Sequence, residues 1–120
     1  MPRPLVVKVT CGADDPERSN QALTVAATAL AAGADVSVWL TGEAAWFAVR
    51  EPRVDLGLEH ATPVADLVDA VLAGGRVTLC TQCAARRGIG PDDVLDGVVV
   101  AGAAAFAEEV LRDGVQALVY

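Results

Sequence analysis

One phrase recurs three times along the chain. A helix-like apolar stretch ends, a glycine intervenes, and a Val/Leu-rich run follows at once. It appears as "AAGADVSVWL", "LAGGRVTLC" and "RDGVQALVY". Each is a helix stop at a glycine, followed directly by a strand. Near-continuous Val/Leu content marks strands buried on both faces. Such strands, alternating with helices, build a parallel sheet covered by helices. The chain is therefore expected to be an α/β protein: a three-layer α/β/α sandwich with a parallel sheet of about five strands. At 120 residues with 53% hydrophobic content, it has the length of a single domain over residues 1–120.

The expected strands are "LVVKVTC" (residues 5–11), "DVSVWL" (35–40), "RVTLC" (76–80), "GVVVAG" (97–102) and "VQALVY" (115–120). After the first strand, Asp15 is placed as an N-cap, Pro16 at N1 and Glu17 at the positive end of the helix dipole. That helix runs to about Ala32, with Gly33 as its stop. Thr41, Gly42 and Glu43 are expected to cap a short helix through Arg50. Residues 51–62 are irregular and suit a lid or an interface element. "PVADLVDAVLAGG" carries Val64, Leu67, Val68, Val71 and Leu72 at helical spacing. A short helix follows from Thr81 to Arg87, and "AAAFAEEVLRD" is the last.

In open α/β sheets ligands gather at the carboxyl ends of the strands. Cys11 and Cys80 both end strands there. Nucleotide binding is set aside, because no G-x-G-x-x-G follows the first strand and no G-x-x-x-x-G-K-[ST] occurs. Asp14 and Asp15 stand where a phosphate would sit and repel it. A net charge of −7 and one tight basic pair, Arg86–Arg87, exclude a nucleic-acid stripe. No apolar run approaches the roughly 20 residues of a membrane span, and "MPRPLVVKVT" reads as a strand rather than a leader. A cytoplasmic protein is expected.

Three cysteines are too few and odd in number for a secreted disulfide scaffold. One Cys-x-x-Cys, one distant cysteine and one histidine make a poor zinc set, so no metal and no cofactor are expected. His60 reads as a solvated loop residue. In "LCTQCAARRGIG", Cys80 ends a strand and Cys83 lies in the first turn of a helix, where free amides favour a thiolate. Arg86 and Arg87 share the helix face of Cys83. Cys80, at the rim, is read as chemistry. Cys83 is read equally as chemistry and as a small buried packing residue. A thioredoxin site would also need a proline before a later strand, and none is there. Trp46 and Phe47 exceed what a five-strand sheet needs and suit an interface.

"VTLCTQCAARRGI" resembles the signature of the DsrE/TusD/YchN group of small sulfur-relay proteins, in which a strand ends in Cys and Arg-Gly-[Ile/Val] closes the turn. The opening "LVVKVTCGADDPERSNQALTVAATALAAGADVSVWLTGEAAW" and the closing "DGVVVAGAAAFAEEVLRDGVQALVY" are similar to that family as well. The resemblance implies a DsrEFH-like fold and a persulfide-carrying cysteine at Cys80, which takes sulfane sulfur and passes it to a partner's thiol. It implies protein-thiol donors or acceptors and a homo-oligomer, a trimer or hexamer. Cys83 and Cys11 depart from the relay pattern, and each is a candidate resolving thiol. Amides at Thr81, Gln82 and Cys83 would steady the anion, helped by Arg86 or Arg87. Gly12, Thr41, Gly42 and Glu43 would line the cleft. Thiol–disulfide chemistry between Cys80 and Cys83, or a non-catalytic oligomeric module, are the alternatives.

Overall fold

The computed structural model describes residues 2–120. Its strands are β1 (Pro4–Val9), β2 (Asp35–Leu40), β3 (Arg76–Cys80), β4 (Val99–Ala101) and β5 (Gln116–Val119). Its α-helices are α1 (Pro16–Ala31), α2 (Val64–Gly74), α3 (Thr81–Arg86) and α4 (Ala103–Val110). All strands are parallel, in the order β4-β3-β2-β1-β5. β2 and β3 start and end where the sequence pattern places them. The fourth and fifth strands are shorter than their apolar runs, and α4 stops at Val110, with Leu111–Asp113 turning away.

Local chemistry accounts for the elements. The Asp15 carboxylate accepts the Arg18 amide at 3.4 Å, with Pro16 in the first turn of α1. Gly33 ends that helix region at φ +98°, where a side chain would be strained. One sheet face is built from Val7, Val9, Val36, Val38, Leu40, Val77 and Leu79. They are buried against Ala22, Leu23 and Ala26 of α1 and Val64, Leu67, Val68 and Val71 of α2. Burial of each such Val or Leu contributes about 1.5–3 kcal/mol.

Alternation sends Lys8, Trp39, Thr78 and Cys80 to the opposite face. α4 packs on that face. Phe106 meets Trp39 edge-on at 5.2 Å between ring centroids, and Trp39 Nε1 donates to Glu109 at 3.1 Å. The strand order explains the uneven layers. From β1 to β4 the chain steps one way across the sheet, then returns to the far edge for β5. Right-handed crossovers put connections made in one direction on one face and the return on the other.

The stretch after β2 differs from expectation. It is a 3₁₀ helix, Gly42–Ala48, and Val49 then pairs with Val94 in an isolated antiparallel bridge instead of extending a helix to Arg50. Thr41 is its N-cap and its carbonyl accepts the Ala44 amide at 3.0 Å, but its side chain makes no cap hydrogen bond; the hydroxyl donates to the Val9 carbonyl at 3.0 Å. Phe47 is core rather than interface, 3% exposed, whereas Trp46 is at the surface. The irregular segment is tied down by Arg50 to the Val94 carbonyl and Asp96, and by Arg53 to the Ala65 carbonyl and Asp69. Among the described residues no helix is long and apolar enough to cross a membrane.

The loops after β1 and β2 touch backbone to backbone. A Cβ on Gly12 would lie 2.5 Å from the Glu43 carbonyl oxygen. One on Gly42, itself at φ +54°, would lie 2.5 Å from that of Thr10. Gly42→Ala therefore combines a clash with backbone strain and should cost about 2 kcal/mol or more. Gly114→Ala, with open space around it at φ +80°, should cost only about 1–2 kcal/mol. Urea unfolding of the two variants checks the order; equal losses would contradict the close approach.

Candidate functional site

Cys80 is the last residue of β3 and the N-cap of α3. The connection after β3 stays with the α1/α2 face, since Cys83, Ala84 and Val94 belong to that core. The connection after β4 leaves on the other face as α4. Adjacent strands whose loops part in this way open a crevice, the usual seat of ligands in such sheets. Cys80 pairs with Ala101 at the top of β4, so its thiol stands at that parting. Thr81 lines the same place: its hydroxyl would be 4.0 Å from a Cβ on Gly102, the N-cap of α4.

The three cysteines are free thiols in different settings. Burial pushes the half-buried Cys80 thiol up. The amide and thiol of Cys83, the amide of Gln82 and the charge of Lys8 outweigh that, and hold it below its ordinary range. The two amides do not close a formed cap hydrogen bond; they act as dipoles aimed at the sulfur. Cys11 is shifted the other way, by burial and then by the carboxylates of Asp15 and Asp14, with Arg18 only partly opposing. Cys83 is 8% exposed, and its Sγ accepts the Gly42 amide at 3.2 Å.

The cleft residues expected from sequence converge in part. Gly42 reaches Cys83. Glu43 accepts Arg87 Nε at 2.7 Å, and Arg87 also donates to the Cys83 carbonyl at 3.2 Å. Gly12 is pressed against the Glu43 backbone, and Thr41 is occupied with Val9. Arg87 is turned to Glu43 and clasps the loop, while Arg86 is exposed. Cys11 lies buried at the β1–α1 corner under two carboxylates, a setting that disfavours a reactive thiolate. His60 sits exposed in its loop at φ +58°. Among the described residues no three His, Cys, Asp or Glu side chains converge to hold a metal.

Lys8, which sequence reasoning passed over, favours the Cys80 thiolate through its charge, as the smallest of the contributions. It lies on the Cys80 face of the sheet, one strand beyond Trp39, with its Nζ 4.9 Å from the Phe106 ring centroid. That cation–π contact steadies the ammonium without neutralising it. A signal existed: Lys8 is the chain's single lysine, inside an otherwise apolar strand.

The sequence matches the DsrE/DsrF-like family over residues 5–119. The fold is similar to the crystal structure of the YchN protein from E. coli, at 19% identity and TM-score 0.82 over 100% of both chains. It is also similar to a protein of unknown function, MTH1491 from Methanobacterium thermoautotrophicum, at 16% identity and TM-score 0.75 over 98% of this chain and 99% of that one. At those identities the likeness speaks for the fold. No curated protein matches the chain.

Since the reacting form is the thiolate, alkylation of Cys80 should rise with pH through a midpoint below that of an ordinary cysteine. Cys11 should lag at every pH. Lys8→Met removes an attraction for the anion, so it should move the Cys80 midpoint upward and slow labelling at neutral pH. Iodoacetamide rates resolved by peptide mass spectrometry check both, and an unmoved midpoint would remove Lys8 from the site.

Proposed function

The chain belongs to the DsrE/DsrF-like family, and from that premise we propose that it is a sulfur-transfer protein that carries sulfane sulfur as a persulfide on Cys80. The observation that carries this reading is the Cys80 thiol itself: half-buried at the parting of β3 and β4, with its anion favoured by two helix-start amides and Lys8. Loading is an exchange. The Cys80 thiolate attacks the outer sulfur of a donor persulfide, R–S–S⁻, giving Cys80–S–S⁻ and R–S⁻. Delivery is the same step in reverse sense, with an acceptor thiolate taking the outer sulfur and Cys80 leaving as thiolate. The features that lower the thiol's proton affinity serve both halves, since they stabilise Cys80 as attacking and as leaving group. Donor and acceptor are protein thiols on this reading, and no cofactor or metal takes part.

We also propose a homo-oligomer, a trimer or hexamer. What supports it is apolar surface on the thinly covered side of the sheet: Val99 is 55% exposed and Val119 65%, with Leu111 at the end of α4 80% exposed. Cys80 shares that side, so an interface there would border the crevice. Light scattering checks the assembly: Leu111→Asp with Val119→Asp should lower the mass toward the monomer, and a wild-type monomer would refute it.

The carrier role is tested by brief exposure to inorganic polysulfide followed by intact-mass and peptide analysis. One extra sulfur on Cys80 is expected in the Cys83→Ser chain, and none on Cys80→Ser at matched time. A Cys83→Ser chain that takes no sulfur at Cys80 would refute the role.

A further inference from the structure

We propose that Cys83 discharges the carrier: its sulfur attacks a persulfide on Cys80, expels the outer sulfur as hydrosulfide, and leaves a Cys80–Cys83 disulfide. This gives the domain a second outcome, release of inorganic sulfide, besides transfer to a partner thiol. It rests on the persulfide reading of Cys80.

Three observations support it. Cys80 is the N-cap of α3 and Cys83 its third residue. Helical rise and radius put Cα atoms at that spacing roughly 5 Å apart, inside the range of about 4.4–6.8 Å that a disulfide needs. Cys83 is 8% exposed, so a bulky external thiol cannot reach it, while the sulfur of Cys80 is its neighbour. Finally, the Gly42 amide donates to Cys83 Sγ at 3.2 Å. That contact fixes the orientation of the Cys83 sulfur. That amide is fixed in place, because Gly42 is held at φ +54° against the Thr10 carbonyl.

The step balances without an outside oxidant. Cys80–S–S⁻ and Cys83–SH become Cys80–S–S–Cys83 and HS⁻. The new bond joins the two cysteine sulfurs. The old S–S pair leaves with the outer sulfur, which takes the proton of Cys83. The sulfane sulfur is reduced to sulfide as two thiols are oxidised to a disulfide. A dithiol reductant then returns the pair to thiols by exchange. Cys11 is the alternative partner by sequence, but its thiol is held protonated by burial and by Asp15 and Asp14.

The test loads the wild-type, Cys83→Ser and Cys83→Ala chains anaerobically with inorganic polysulfide, removes the excess, and follows free sulfide and intact mass without reductant. Wild type should release close to one sulfide per chain and end two hydrogens lighter than the reduced protein, with the new bond mapped to Cys80 and Cys83. Both variants should keep the extra sulfur on Cys80 roughly tenfold longer or more. If wild type holds its sulfur as long as the variants do, or if the disulfide maps to Cys11, the discharge role is overturned while the carrier role stands. If neither wild type nor variant takes sulfur on Cys80, the carrier reading falls and discharge with it.

Discussion

The handedness of the crossovers governs most of this molecule. Three steps across the sheet in one direction and one long return leave α1 and α2 on one face and α4 on the other. The return must start after β4, so the chain leaves β3 and β4 in opposite directions, the switch point where ligands sit in such sheets. Cys80 ends β3 at that point by register. The same asymmetry leaves Val99 and Val119 only partly covered. A site and an unfinished apolar face therefore share one cause in the connectivity.

Two cysteines, Cys80 half-buried and Cys11 buried, meet opposite electrostatics. Both Cys80 and Cys11 lose solvent, which works against the thiolate. At Cys80 the loss is overcome by helix-start amides, a neighbouring thiol and an ammonium. At Cys11 the loss is reinforced by two carboxylates from the turn that caps α1. Asp15 is needed there as a cap, so helix initiation and a quiet Cys11 come from the same acidic turn. Arg87, by pairing with Glu43, fixes the loop that supplies the Gly42 amide.

Much of this was legible beforehand. The glycine-then-strand phrase gave the parallel α/β class, and β2 and β3 fall where the apolar runs put them. Placement of Cys80 at a strand end and of Cys83 in the first helical turn also held. What periodicity could not reveal was strand order, and with it which side chains meet across strands. Lys8 acts on Cys80 from two strands away, through a register no local pattern encodes. Arg86 and Arg87 looked nearer because sequence proximity was the only distance available. The segment after β2 misled for another reason. Its helix-like composition was overridden by the Val49–Val94 bridge and by the need to seat Gly42 against Thr10.

Lys8 carries one further consequence. Because every other cation of the chain is arginine, amine-directed reagents, which usually scatter over a protein surface, meet a single side-chain target. That target stands over the Phe106 ring, on the same face of the sheet as the thiol and two strands from it. A carbon-13 methyl group placed on its nitrogen would keep the positive charge and sit within the ring current of Phe106. Its resonance would then report on the packing of α4 against the sheet face that carries Cys80, from a reporter the fold has already put in position.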